Sequence, residues 1–208
     1  MEVDENIDTE PYTIVSNGWL QLRDNSKIEK FLVEMAPSKI NNTTGCLWIS
    51  VHNQSKTRNL GISNIGELCQ EFKQLEVKLG KDMKIQHMEY LARKHNVLCG
   101  KWMCSVKTPQ VDYVWQCIAR AVIKGRLGSS AKVQSSALNR IITHVICVYT
   151  NNYLDLEERK MIRDALANVL IESNTFVRRL TYKPDIYTYL GIYGNHSVIS
   201  AVVDSIKW

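Results

Sequence analysis

The sequence predicts a mixed α+β domain, a sheet covered mainly on one face by helices. Three observations lead there. Segments with three- and four-residue apolar spacing alternate with short apolar runs through the first two thirds of the chain. The last third holds short apolar runs parted only by turns. At 45% hydrophobic and 23% charged residues over 208 positions, the composition is that of a globular chain of one domain with a short tail.

The elements follow in order. Residues 1–12 carry Glu2, Asp4, Glu5, Asp8 and Glu10 with no Lys or Arg and read as an acidic tail; residues 13–208 read as one α+β domain. A short helix is expected over 26–35, where Ile28, Phe31, Leu32 and Met35 share a face before Pro37. The polar turn 41–45 leads into 46–51, the first strand of the body. Ile65, Leu68, Phe72, Leu75 and Leu79 define the clearest helix, with Asn64 and Glu67 as a cap and Gly80 as a stop. Residues 97–106 predict a strand. Pro109 then opens a helix lined by Val111, Val114, Trp115, Ile118 and Val122, ending at Gly125. Strands are expected at 131–134 and 141–150, a helix at 155–172, and closing strands at 177–182, 186–193 and 198–203. Trp102 and Trp115 fall in strong apolar patterns and read as core, Trp19 as a cap on the sheet edge; Trp48 stays open between packing and binding.

Charge and cysteine usage narrow the classes. With five carboxylates in the first ten residues, the remainder holds all 26 basic side chains against 16 of the 21 acidic ones, a balance near +10. Such a body suits phosphates or acidic surfaces, and equally suits plain solubility. No run of apolar residues is long enough for a membrane span. The acidic start lacks a signal-peptide layout, so a reducing compartment is expected, cytoplasmic and also nuclear. The six cysteines lack C-x-x-C spacing; Cys46, Cys99, Cys104 and Cys147 sit in apolar runs and read as buried thiols rather than metal ligands.

Enzyme signatures are missing. No phosphate-binding loop, dinucleotide fingerprint, nucleophile elbow or H-E-x-x-H stands in the chain, and no two of its five histidines are four apart. His144 opens an apolar strand and reads as a packed histidine. The expectation is therefore a non-enzyme with no catalytic residue, no metal and no cofactor.

Basic residues interleaved with aromatics carry the binding reading. Lys56 and Arg58 follow the first strand, Lys132 and Arg140 flank the linker around 135–139, Arg178 and Arg179 open a late strand, and Lys183 precedes Tyr187 and Tyr189. On a strand, Tyr187 and Tyr189 share one face, where they stack bases if exposed or cover a packed sheet if not. Lys183, Pro184 and Asp185 read either as a turn or as a Lys–Asp pair at the sheet rim.

A family resemblance enters on particular residues. The runs Cys99-Gly100-Lys101-Trp102, Val111 to Ala121, Ala131-Lys132-Val133, His144 to Tyr149 and, most specifically, Tyr182 to Tyr193 resemble the eukaryotic family of unassigned function that includes basophilic leukemia-expressed protein. This resemblance covers roughly residues 97–193, with a weaker extension back to Gly45. It implies a curved, mainly antiparallel sheet backed by helices, similar to cap-binding translation initiation factor 4E. Carried residue by residue, the comparison puts Arg58 where one cap-stacking Trp would stand. It finds no Trp over 86–97, where the second belongs; Tyr90 is the aromatic nearby and Glu89 the carboxylate that would meet guanine. Lys132 and Arg140 fall near the factor's phosphate-binding positions.

The expected function is a non-enzymatic RNA- or nucleotide-associated binding module without tight cap selectivity. Its phosphate contacts would be Lys56, Arg58, Lys132, Arg140 and Lys183, with Tyr187 or Tyr189 stacking a base. The alternatives are a protein-interaction scaffold, using the convex face of the helices that hold Ile65 and Trp115, and an enzyme acting on a small phosphorylated substrate.

Overall fold

The computed structural model describes residues 13–16, 18–55, 63–137 and 142–207. Among them eight strands form one sheet: β1 (Thr13–Ser16), β2 (Trp19–Leu22), β3 (Trp48–His52), β4 (Gly100–Lys107), β5 (Ser130–Gln134), β6 (Thr143–Thr150), β7 (Arg179–Pro184) and β8 (Asp204–Lys207). Six helices accompany it: α1 (Ile28–Glu34), α2 (Ile65–Leu79), α3 (Ile85–Lys94), α4 (Thr108–Ile123), α5 (Leu156–Glu172) and α6 (Asp185–Tyr189). The sheet runs β1-β2-β3-β5-β6-β4-β7-β8. Its neighbours are antiparallel except β2 and β3, which are parallel. The α+β class and the mainly antiparallel sheet backed by helices stand as the sequence predicts. The acidic segment 1–12 lies outside the described residues.

Local chemistry sets the helix ends. The Asn64 side chain accepts from the Glu67 N–H at 3.1 Å, and Gly80 stops α2 with φ +48. Pro109 sits in the first turn of α4, where its missing N–H costs no intrahelical bond. Asp155 caps α5 by accepting from the N–H groups of Glu157 and Glu158, both at 3.0 Å.

Strand alternation divides the sheet into two faces. On one lie Leu20, Ile49, Val51, Val133, Ile146, Val148, Trp102, Cys104, Val106, Leu180 and Tyr182, all buried. Against them pack Val111, Val114, Trp115 and Ile118 of α4 and Ile162 and Leu166 of α5. Trp102 meets the Tyr182 ring edge-on at 5.0 Å and donates its indole N–H to the Arg159 carbonyl at 2.9 Å. His144 is wholly buried: Nδ1 donates to the Gln134 carbonyl at 2.8 Å, which leaves Nε2 to accept from the Thr108 hydroxyl at 3.1 Å. All six thiols are free, and Cys46, Cys99, Cys104 and Cys147 are buried, as their apolar settings predict.

Two expected strands are corrected. Residues 186–193 are not a strand; Pro184 ends β7 and, with φ −62 and ψ 142, serves as the N-cap of α6. Residues 198–203 are not a strand either. The His196 ring nitrogen Nδ1 accepts from the N–H groups of Val198 at 3.3 Å and Ile199 at 2.9 Å, withdrawing both donors from any ladder, and the last strand is β8. Helix α3 and the pair β1 and β2 are additions. α3 buries only Met88, Leu91 and Ala92 in an otherwise polar sequence, and β1 and β2 are four residues each.

Two glycines test this packing in opposite directions. A Cβ at Gly100 would run into the Tyr182 hydroxyl and stand 2.7 Å from its ring carbon Cζ, in a region with no room to yield. Gly100→Ala should lower the unfolding free energy in urea by about 2 kcal/mol or more. Gly66, in α2, has only the Asn64 side chain near, at 3.8 Å, so Gly66→Ala should raise stability by about 0.5 kcal/mol. A neutral Gly100→Ala would show that the Trp102–Tyr182 pair is not locked.

Candidate nucleic-acid interface

The face of the sheet opposite the α4 and α5 packing collects the side chains that alternation leaves out of the core. Registers align them across strands: Trp19 with Trp48, Ser50 with Lys132, Lys132 with Cys147, and Tyr149 with Lys101, which pairs in turn with Lys183. Each is an even step from its neighbours, so all point to the same side. Strands chosen for apolar content on one face therefore carry three lysines and three aromatic rings on the other.

These side chains form a row in which cations and rings alternate. Lys132 Nζ lies 4.3 Å from the Trp19 ring centre and 4.1 Å from that of Trp48. Tyr149 comes next, its ring 5.9 Å from Lys132 and 5.8 Å from Lys101. Lys101 forms an ion pair with Asp185 and donates to the Thr188 hydroxyl at 3.3 Å. Lys183 donates to the Ile192 carbonyl at 2.7 Å and lies 4.0 Å from the Tyr193 ring. Each cation–ring interaction within this range stabilises by about 0.5–2 kcal/mol as it loses water.

Electrostatics leave the row unbalanced. Of the carboxylates among the described residues, Asp185 is the one paired with these lysines. Burial, and secondarily the charge of Lys101, holds the Lys132 ammonium below the usual lysine range; the same two causes act on Lys183. Burial pushes the neighbouring Cys147 thiol up to about 11, so it stays protonated at neutral pH and offers no nucleophile. The chemistry on offer is anion binding beside flat rings.

The two tryptophans do not make an open sandwich. Their centres stand 6.2 Å apart with planes at 30°, and Lys132 Nζ lies against both rings, to one side of the line that joins them. A ring inserted between two others needs about 3.5 Å on each side, more than this separation allows.

The site residues expected from sequence separate clearly. Lys132 and Lys183 lie on the same side of the sheet, Lys132 half-buried and Lys183 buried, whereas Lys56, Arg58 and Arg140 lie outside the described residues. Tyr187 is a correction. It is wholly buried in α6 and cannot stack a base, because the segment is a helix and the strand alternation expected of it never arises. Tyr189 ends the same helix with its side chain half exposed, and its carbonyl accepts from the Cys69 thiol of α2 at 3.8 Å. Trp19 is no edge cap, since β1 lies outside β2. Glu89 stands in α3 and lines a hollow with Tyr153, Arg93 and Tyr187, away from the lysine row. Sequence reasoning misses Lys101, Tyr149 and Trp19 as site residues and leaves Trp48 open. A lysine at alternate spacing within the apolar run of β4 is the available signal.

The helical side bears on the scaffold alternative. Trp115 is wholly buried and Ile65 packs against the core, while Val77 of α2 and Tyr113 of α4 are exposed singly. No helix of the described residues is long and apolar enough to cross a membrane.

Residues 69–191 match the family model of basophilic leukemia-expressed protein Bles03. Among solved structures the chain is similar to C. elegans eIF4E-3 in complex with the 4E-binding protein Mextli and a cap analog, at 20% identity over 45% of this chain and 54% of that one, with a TM-score of 0.37. It is similar to Ascaris suum eIF4E-3 with m7G cap, at 16% identity over 53% and 58%, TM-score 0.39. It is also similar to a schistosome eIF4E complexed with m7GpppA and 4E-BP, at 17% identity over 53% and 60%, TM-score 0.40. The chain thus spans between 54% and 60% of the length of these structures.

The desolvated lysine gives a pH signature. The unfolded chain holds the Lys132 proton up to the ordinary value of 10.5, whereas the folded chain releases it sooner. Between those two values the unfolded state binds more protons, so this residue's contribution to stability rises with pH. The stability of the wild type relative to Lys132→Met should therefore increase as urea unfolding is moved from pH 7 to pH 10. A difference that stays flat means that Lys132 is as well solvated folded as unfolded.

Proposed function

The chain belongs to the family of basophilic leukemia-expressed protein Bles03, and from the open face of its sheet we propose that it is a non-enzymatic binding module for RNA or nucleotides, without tight selectivity for a cap. The observation that carries this reading is the row of Lys132, Lys101 and Lys183 set among Trp19, Trp48, Tyr149 and Tyr193. Three ammonium groups answered by one paired carboxylate attract phosphate, Lys132 being half-buried and Lys101 and Lys183 buried at the foot of the row, and the rings beside them offer faces to bases or sugars.

The same geometry argues against tight cap selectivity. Methylated guanine is a cation, held where two aromatic planes leave room for it. Here the rings of Trp19 and Trp48 stand too close to admit a third, and the protein's own Lys132 already lies against both. A cationic base would have to displace that ammonium and would meet its repulsion. An uncapped phosphate meets attraction at the same point. Binding chemistry is favoured over catalysis because Cys147, the thiol paired across the sheet with Lys132, is held protonated.

Fluorescence anisotropy with capped and uncapped single-stranded RNA, each at two salt concentrations, tests the proposal. The two RNAs should bind within about threefold of each other, with affinity falling as salt rises. Lys132→Ala or Lys183→Ala should reduce the log–log salt slope by about 0.7 for each phosphate that the deleted ammonium neutralises. A cap preference of tenfold or more, or slopes unchanged in both variants, would remove the row from the site.

A further inference from the structure

We infer that the ligand of this face is a single-stranded RNA segment of several nucleotides rather than one nucleotide, because a second cationic subsite lies farther along the same face. The inference rests on the RNA reading above. Arg179 is an even number of residues from Thr181 and Lys183 on β7, so the three share a side of the strand. Four residues at about 3.3 Å each put Arg179 about 13 Å from Lys183 along β7. Lys207 of β8 is paired opposite Arg179, and exposed Arg178 precedes it in the chain.

At the Arg178 and Arg179 end of this face lies a hollow of about 370 Å³. Met103, Ser105, Val145 and Thr181 line it together with Arg178 and Arg179. Its lining joins adaptable apolar surface to two hydroxyls, which suits a base or ribose. Arg179 donates to the Ser205 hydroxyl at 3.1 Å, a neutral partner that leaves its charge uncompensated. Among the described residues neither Arg178 nor Arg179 forms an ion pair with a carboxylate. A mononucleotide phosphate reaches one group or the other, whereas a strand reaches both and gains from the second engagement being intramolecular.

Calorimetric titration with uridine 5′-monophosphate and with 5′-phosphorylated oligouridylates of two, four and eight residues, at one salt concentration, tests this on the full chain and on an Arg178→Ala/Arg179→Ala double variant. From monomer to octamer the affinity should rise about a hundredfold or more in the wild type. That ratio should fall about tenfold in the double variant, whose thermal unfolding should match the wild type because both side chains are exposed. Equal affinity for monomer and octamer overturns the extended site and leaves the RNA reading standing, and so does an undiminished ratio in the double variant. Displacement of the octamer by inorganic tripolyphosphate at equal concentration overturns the RNA strand in favour of any polyanion. Absence of binding at every length overturns the RNA reading itself.

Discussion

The two-residue alternation along β4, β5 and β6 governs both halves of this protein. Gly100, Trp102, Cys104 and Val106 of β4 face the helices, and the intervening Lys101, Met103 and Ser105 face the other way. Burying large apolar side chains such as Trp102, Ile146 and Val148 contributes roughly 1.5–3 kcal/mol each and fixes the register. A slip of one residue would put lysines into the core. The core thus enforces the display of cations, and no separate device is needed to aim them. Gly100 completes the arrangement: lacking a side chain, it lets the Tyr182 hydroxyl approach the backbone and bond to Thr150.

Crowding three lysines on one face costs solvation, and the structure offsets that cost without neutralising the charge. Rings take up part of it: Trp19 and Trp48 for Lys132, Tyr193 for Lys183. A carbonyl takes up more, Ile192 accepting from Lys183, and only Lys101 has a carboxylate. Induced order on binding is therefore small, since Lys132 and Lys183 are already held by neutral partners and Lys101 by Asp185. Had each lysine an acidic partner, a phosphate would have to compete with it. Ring and carbonyl partners leave the positive potential intact.

Much of this is legible in the chain. The cap at Asn64, the apolar spacing over 155–172 and the placement of Pro109 announce α2, α5 and α4, because those signals are local. Lys132 and Lys183 stand out as basic residues beside rings, although their companions do not. Lys101 looks like part of a Gly-Lys-Trp motif and Tyr149 like the end of an apolar strand; only the pairing of β4 with β6 makes them neighbours. Trp19 escapes placement because a four-residue strand gives too few alternations to be recognised. Tyr187 misleads for the opposite reason. Its segment alternates convincingly, yet the fixed φ of Pro184 turns the chain into α6 and tertiary packing overrides the pattern.

The parallel pairing of β2 with β3 shapes how the aromatic end is assembled. Parallel neighbours cannot be joined by a tight hairpin, so the chain makes a long crossover through α1 before Trp48 reaches Trp19. Closing that loop costs entropy that only non-local interactions repay. β1 and β2, by contrast, form a local antiparallel hairpin attached to the rest of the sheet through three residue pairs, Trp19–Trp48, Leu20–Ile49 and Gln21–Ser50. Leu20 and Leu22 of β2 are buried in the core, so this short seam is held by apolar burial as well as by hydrogen bonds. Lys132 thus takes the wall provided by Trp48 from the middle of the sheet and the one provided by Trp19 from a strand that those two leucines anchor. The aromatic surroundings of that ammonium are thereby tied to the core, their outer side carried by the outermost hairpin of the sheet.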